Sequence, residues 1–159
     1  MRLMIGAAAA TCIANISWWM QPEIVSEVLS VPGTGEAQAG FVVSAEFAAM
    51  ALASIVLARV VRKTSYLMIA AMGTLIAIAG ATLSVFVTTY AVLVLSRLVT
   101  GLGEGGALMV SAAAVAHLPD PDRAYAKLNI VNISLGAAAT FLLPSLSAAM
   151  GGGSTAFRV

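Results

Sequence analysis

The sequence predicts an all-α polytopic membrane protein with about five transmembrane helices. Three observations carry this expectation. The chain is 60% hydrophobic and only 9% charged, with a mean hydropathy of +0.99, whereas an ordinary soluble domain carries about 25% charged residues. Its apolar residues fall into five runs, each near the roughly 20 residues that a helix needs to cross hydrocarbon. Ala, Leu, Val, Ile, Met and Gly fill those runs. The short alternating strands of an outer-membrane barrel are missing, so backbone polar groups are expected to be satisfied within helices.

The runs extend over about 3–20, 39–60, 66–87, 91–116 and 126–150. The first, with Arg2 ahead of a short apolar stretch and small residues, resembles a signal peptide. Its apolar character continues through Trp18 and Trp19, an aromatic pair suited to the membrane interface, so it is expected to stay as a first helix. Cys12 is the single cysteine. It excludes an intrachain disulfide and a cysteine-based metal cluster, and reads as a small packing residue.

The connectors set the orientation, because Lys and Arg are retained on the cytoplasmic side. The connector QPEIVSEVLSVPGTGEAQAG holds Glu23, Glu27 and Glu36 without Lys or Arg and reads as an external loop. Arg59, Arg62 and Lys63 follow the second run, and Arg123 and Lys127 follow the fourth, so both of those loops are expected to be cytoplasmic. The amino terminus then lies inside, and the lipid bilayer of the cell (inner) membrane is the expected setting. In HLPDPDRAYAK, Pro119 and Pro121 end one helix, while Asp120 caps the next with Pro121 in its first turn. The prediction is a tight helical hairpin. With a net charge of +1 and scattered Lys and Arg, the chain has no basic surface for nucleic acid.

The fourth run, LVLSRLVTGLGEGGALMVSAAAVA, contains Arg97 and Glu104 inside apolar sequence. An ionisable group in hydrocarbon costs several kcal/mol unless it meets a partner or water, which makes it a functional candidate. The two share a helix face about 10 Å apart along the axis, too far to pair directly. Glu104 should lie near mid-membrane, where alternating exposure would suit a proton carrier. Glu46 in the second run lies at a depth similar to Arg97, so the two can form an ion pair if their helices touch. The bland alternative is a fixed interhelical ion pair that only holds helices together.

Gly101, Gly103 and Gly106 nominally match a dinucleotide fingerprint. That motif needs a preceding strand and an exposed helix amino terminus, and neither is expected here. Gly101 and Gly105 form a G-x-x-x-G step, and with Gly103 they read as close helix packing. In the fifth run Asn129, Asn132, Gly136 and Thr140 recur at three- and four-residue steps, one polar and small stripe that should face protein or a cavity. Asn129, Asn132 and, in the first run, Asn15 are substrate-contact candidates beside plain interhelical hydrogen bonding. Catalysis is not expected: Ser111 and the single histidine, His117, fall on different sides of one helix. No metal-ligand cluster is seen, and no cofactor is expected.

Together these residues resemble the amino-terminal half of a major facilitator superfamily (MFS) transporter, over nearly the whole chain. LVLSRLVTGLGEGG is similar to the family's fourth-helix pattern, through Leu93, Arg97, Thr100, Gly101 and Gly103. PDPDRAYA resembles the junction into the fifth helix, and AQAGFVVSAEF the approach to the second. The gating-loop motif between helices two and three is degenerate. Ala58 and Val61 stand where the family has Asp and Gly, while Arg59, Arg62 and Lys63 are kept. The Gly-Pro signature of the drug/proton antiporters is missing from the fifth helix. The acidic residue at Glu104 is similar to that of the anion:cation symporter branch, where it is implicated in proton coupling.

The resemblance implies secondary transport of a small-molecule substrate, with proton coupling, by the first five of twelve helices. Residues 1–150 would form a partial amino-terminal bundle, and 151–159 an external loop or the truncated start of a sixth helix. Such a half would need the missing carboxy-terminal half or a second copy, because alternating access rocks one bundle against another. The other class of function left open is a membrane interaction protein that transports nothing.

Overall fold

The computed structural model describes residues 2–61, 64–86 and 89–149, with side chains for 4–61, 64–86 and 89–142. Among the described residues the chain is all-helical. It comprises α1 (Arg2–Ala14), α2 (Ile16–Trp19), α3 (Gln21–Ser30), α4 (Glu36–Val60), α5 (Tyr66–Val85), α6 (Tyr90–Ala116) and α7 (Pro121–Ala149). Three of these, α4, α5 and α6, are long and apolar enough to cross a membrane, which is compatible with an integral membrane protein. Arg62, Lys63 and residues 150–159 lie outside the described residues.

Two elements differ from the sequence expectation. The first run is not one helix, because it breaks at Asn15 and again at Met20. At Asn15 the side-chain amide donates to the Thr11 carbonyl at 2.8 Å, taking the acceptor that the helix ladder would use. The Asn15 backbone N–H turns instead to the Cys12 carbonyl at 3.2 Å. The second difference is α3, a helix where an external loop was expected. Pro22 sits in its first turn, where a missing N–H does no harm. Ile24 and Val28, four residues apart, bury one face against Ala39, Val42 and Leu93.

Helix α6 is the centre of the bundle, with α1, α4 and α5 packed around it. Its contacts fix direction. Ser17 meets Glu104 while Thr11 meets Ser111, so α1 and α2 run opposite to α6. Gly73 meets Gly103 while Gly80 meets Thr100, so α5 does too. Gly101 meets Glu46 while Gly105 meets Met50, so α4 runs parallel to α6. The spans α1–α2, α4, α5 and α6 therefore alternate in direction along the chain, although α4 and α6 pack side by side in parallel.

Glycines bring these helices close. A Cβ added at Gly101 or Gly105 would fall on the backbone carbonyl of Glu46 or Met50, and one at Gly103 on the backbone of Gly73 and Ala77. A Cβ at Gly80 would lie 2.6 Å from the Thr100 nitrogen. Gly101, Gly103 and Gly105 are thus filled by neighbouring helix backbone, in the small-residue packing that substitutes for hydrophobic driving force in lipid. Ser54 adds a hydrogen bond across the same seam, donating to the Gly105 carbonyl at 3.0 Å. The outward faces of α4 and α5 leave Leu52, Ile55, Leu75 and Ile78 exposed, an apolar surface fitted to lipid. At the α6–α7 junction, Asp120 accepts the Arg123 N–H at 3.0 Å as the cap of α7.

Candidate functional site

The polar residues of the interior converge where the α1–α2 break meets α6. Breaking a helix frees backbone N–H groups that need new acceptors. The Ser17 N–H, in the first turn of α2, donates to Glu104 Oε1 at 3.2 Å, and the Ser17 hydroxyl lies 2.6 Å from the same oxygen. That hydroxyl also lies 2.8 Å from Glu46 Oε1. Glu46 and Glu104 are each only 1% exposed, among the most buried side chains described. Glu104 Oε2 is buried without a hydrogen-bond partner.

Arg97 extends the cluster toward one end of the bundle. Its Nη1 is 3.8 Å from Glu46 Oε1, and its Nη2 is 2.8 Å from Glu27 Oε2 on α3. Nη2 also reaches Ser84 Oγ on α5 at 3.3 Å. The side chain of Arg97 is 10% exposed and that of Glu27 30%, so the row Glu27, Arg97, Glu46, Ser17, Glu104 leads from a partly open edge to the closed interior. The Arg97 guanidinium offers only donors, so it orders the carboxyl groups along this row. A carboxylate removed from water needs such a partner, since its uncompensated burial costs several kcal/mol.

Glu46 and Arg97 are brought together, as are Glu104 and Glu46 through Ser17, whereas Arg97 and Glu104 occupy separate positions along the row. The asparagines divide. Asn15 and Asn132 line one groove of about 440 Å³ with Trp18, Trp19, Gln21 and Thr140. Asn129 faces a different groove of about 510 Å³ with Asp122 and Tyr125. The expected stripe along α7 therefore serves two surfaces. Gly136 is covered by the Trp19 indole. Arg59 is exposed in the last turn of α4, where a cation complements the helix dipole.

Sequence reasoning passed over Ser17, Glu27 and Ser84. Ser17 follows two residues after Asn15 in an otherwise apolar run, and Glu27 adjoins Val28 of the Ile24/Val28 pair. Those spacings are signals, but weak ones. Ser111 and His117 have separate partners: the Ser111 hydroxyl meets Thr11 Oγ1 at 2.5 Å, and His117 Nδ1 meets the Ala113 carbonyl at 2.7 Å. Among the described residues no group of His, Cys, Asp and Glu is arranged to hold a metal. Comparison of the chain with protein-family models, with curated proteins and with solved structures found no match.

Proposed function

We propose that this chain serves secondary active transport of a small solute, coupled to protons, as an amino-terminal helical bundle of the major facilitator type. The observation that carries the reading is the row of ionisable groups from half-open Glu27 through Arg97 and Glu46 to buried Glu104. Membrane interiors keep such groups where ions or protons move. The break in the first helix at Asn15 belongs to the same pattern, because discontinuous helices expose backbone donors at transport sites. In this reading α1 to α3 act as one kinked first span, and α7 completes five.

The alternating helix directions place Arg59 and Arg123 at one end of the bundle and Glu27 and Glu36 at the other. Under the positive-inside rule the amino terminus is cytoplasmic and Glu27 lies at the external side of the inner membrane. Transport uses a second bundle, either a carboxy-terminal half or a second copy of this chain, across from α1 and α6.

The test is solute flux in proteoliposomes under an imposed pH gradient, with the chain and its Glu104→Gln variant, screened against organic anions, sugars and cationic drugs. Flux driven by protons and lost on substitution supports the reading. Absence of flux from folded, inserted protein with every solute class overturns it for this chain and favours a non-transporting interaction protein.

A further inference from the structure

A hydroxyl has one proton to give. Ser17 Oγ nevertheless stands within hydrogen-bond distance of two carboxyl oxygens, Glu46 Oε1 at 2.8 Å and Glu104 Oε1 at 2.6 Å. With both carboxyls ionised, two buried anions, each 1% exposed, would have to share that one proton in a bifurcated bond while repelling each other. Each contact becomes a full hydrogen bond, and the repulsion is removed, when one carboxyl carries a proton and donates it to Ser17 Oγ. The arrangement therefore contains two protons for three oxygens: one belongs to the hydroxyl, and the other is shared by the glutamates.

We propose that Glu46, Ser17 and Glu104 form a single proton-holding unit in which Ser17 hands the proton from one carboxyl to the other. In one state Glu46 is the acid. Its O–H donates to Ser17 Oγ, and the Ser17 O–H donates to the Glu104 carboxylate. In the other state Glu104 is the acid, donating to Ser17 Oγ, while Ser17 donates to the Glu46 carboxylate. The exchange is one concerted shift. The Glu46 proton bonds to Ser17 Oγ as the Ser17 proton bonds to Glu104 Oε1, so two O–H bonds break, two form, and the unit keeps one negative charge.

Each state has its own stabilising group. The Glu46 anion faces Arg97 Nη1 at 3.8 Å, and the Glu104 anion accepts the Ser17 N–H at 3.2 Å. The other groups packed around this unit are Glu27 of α3, which holds Arg97 from its far side, and Ser84 of α5. Ser17 is thus a positioning residue that links charge near the α3 edge to charge at the centre of α6. The physiological use of the unit rests on the proton-coupling reading above, but its test needs no solute.

The experiment is infrared spectroscopy of the full chain in lipid nanodiscs at neutral pH, where exposed carboxyl groups are ionised. Carbon-13 carboxyl labelling of glutamate in the unsubstituted chain should count one protonated glutamate, and a count of zero or two overturns the proposal. That band should vanish in Glu46→Gln and equally in Glu104→Gln, because the Gln amide supplies the donor that Ser17 Oγ otherwise takes from an acid. A band removed by only one of the two substitutions belongs to a single residue and overturns the sharing. Ser17→Thr, which keeps the hydroxyl, should preserve the band, while Ser17→Ala should shift it to higher frequency. An unshifted band in Ser17→Ala removes Ser17 from the unit. The shared band without flux leaves the unit standing and sinks only the transport reading, whereas flux without the band does the reverse.

Discussion

Gly101 of α6 lies directly against the backbone carbonyl of Glu46 on α4, so closely that a Cβ at that glycine would overlap it. The same contact that seats α4 on α6 delivers the Glu46 carboxyl to Ser17 and Arg97. Helix packing and the polar cluster are therefore one structure, and changes in the seam should be read out in the cluster.

Gly101→Val is expected to destabilise the bundle by about 1–3 kcal/mol, the range for overpacked interiors. Gly40→Ala is the control: nothing lies within 4 Å of a Cβ there, so the gain in helix propensity should stabilise by up to about 1 kcal/mol. Unfolding by denaturing detergent in mixed micelles, followed by circular dichroism, compares the two. Equal midpoints would disprove the close seam.

Removing the cation should be worse than removing the ion pair. Arg97→Gln leaves Glu46 buried opposite Glu27 without a positive partner, and loss of one member of a buried pair costs up to about 3–5 kcal/mol, reduced here because the proton shared through Ser17 can settle on Glu46. The 30% exposure of the Glu27 side chain puts the expected loss toward the lower end of that range. Glu46→Gln added to Arg97→Gln should recover part of it. A double-mutant cycle measures the coupling, and strictly additive losses would mean that Arg97 and Glu46 do not interact.

Asn15→Ala returns the Thr11 carbonyl to the backbone ladder and should straighten the break. Spin labels on the native Cys12 and on a Ser30→Cys substitution report the change. Their separation should rise, while the second break at Met20 keeps it short of the about 27 Å that a continuous helix of that length spans. An unchanged distance would show that the Asn15 side chain does not maintain the bend.

Trp19 rests on Gly136, and a Cβ there would collide with the indole. In a Trp18→Phe background, Gly136→Ala should push Trp19 toward solvent and move its fluorescence to longer wavelength. The opposing gain in helix propensity, about 1 kcal/mol, should keep overall stability nearly level. Emission that stays in place would mean α2 and α7 do not touch at this point.

The limits of the long helices were legible in the sequence. Runs expected at 39–60, 66–87 and 91–116 correspond to α4, α5 and α6, because uninterrupted apolar residues bounded by charged or turn residues leave a helix few other places to end. Helix α3 was missed because its three-turn amphipathic pattern is short and its acidic residues read as an external loop. The break at Asn15 was missed because it depends on one side-chain amide choosing a carbonyl four residues back.

Composition and the apolar runs alone determined that this chain is helical and contains helices long and apolar enough to cross a membrane, since a helix satisfies its own backbone and needs no neighbour to do so. They also singled out Arg97, Glu104 and Glu46, because charge stands out against hydrocarbon. Which groups those residues meet was decided only by the tertiary structure. Arg97 takes Glu27 from 70 residues away, and Glu104 takes Ser17 from 87. Such pairings follow from the rotation and spacing of helices packed on glycine, and these quantities arise between segments and are written in no single one.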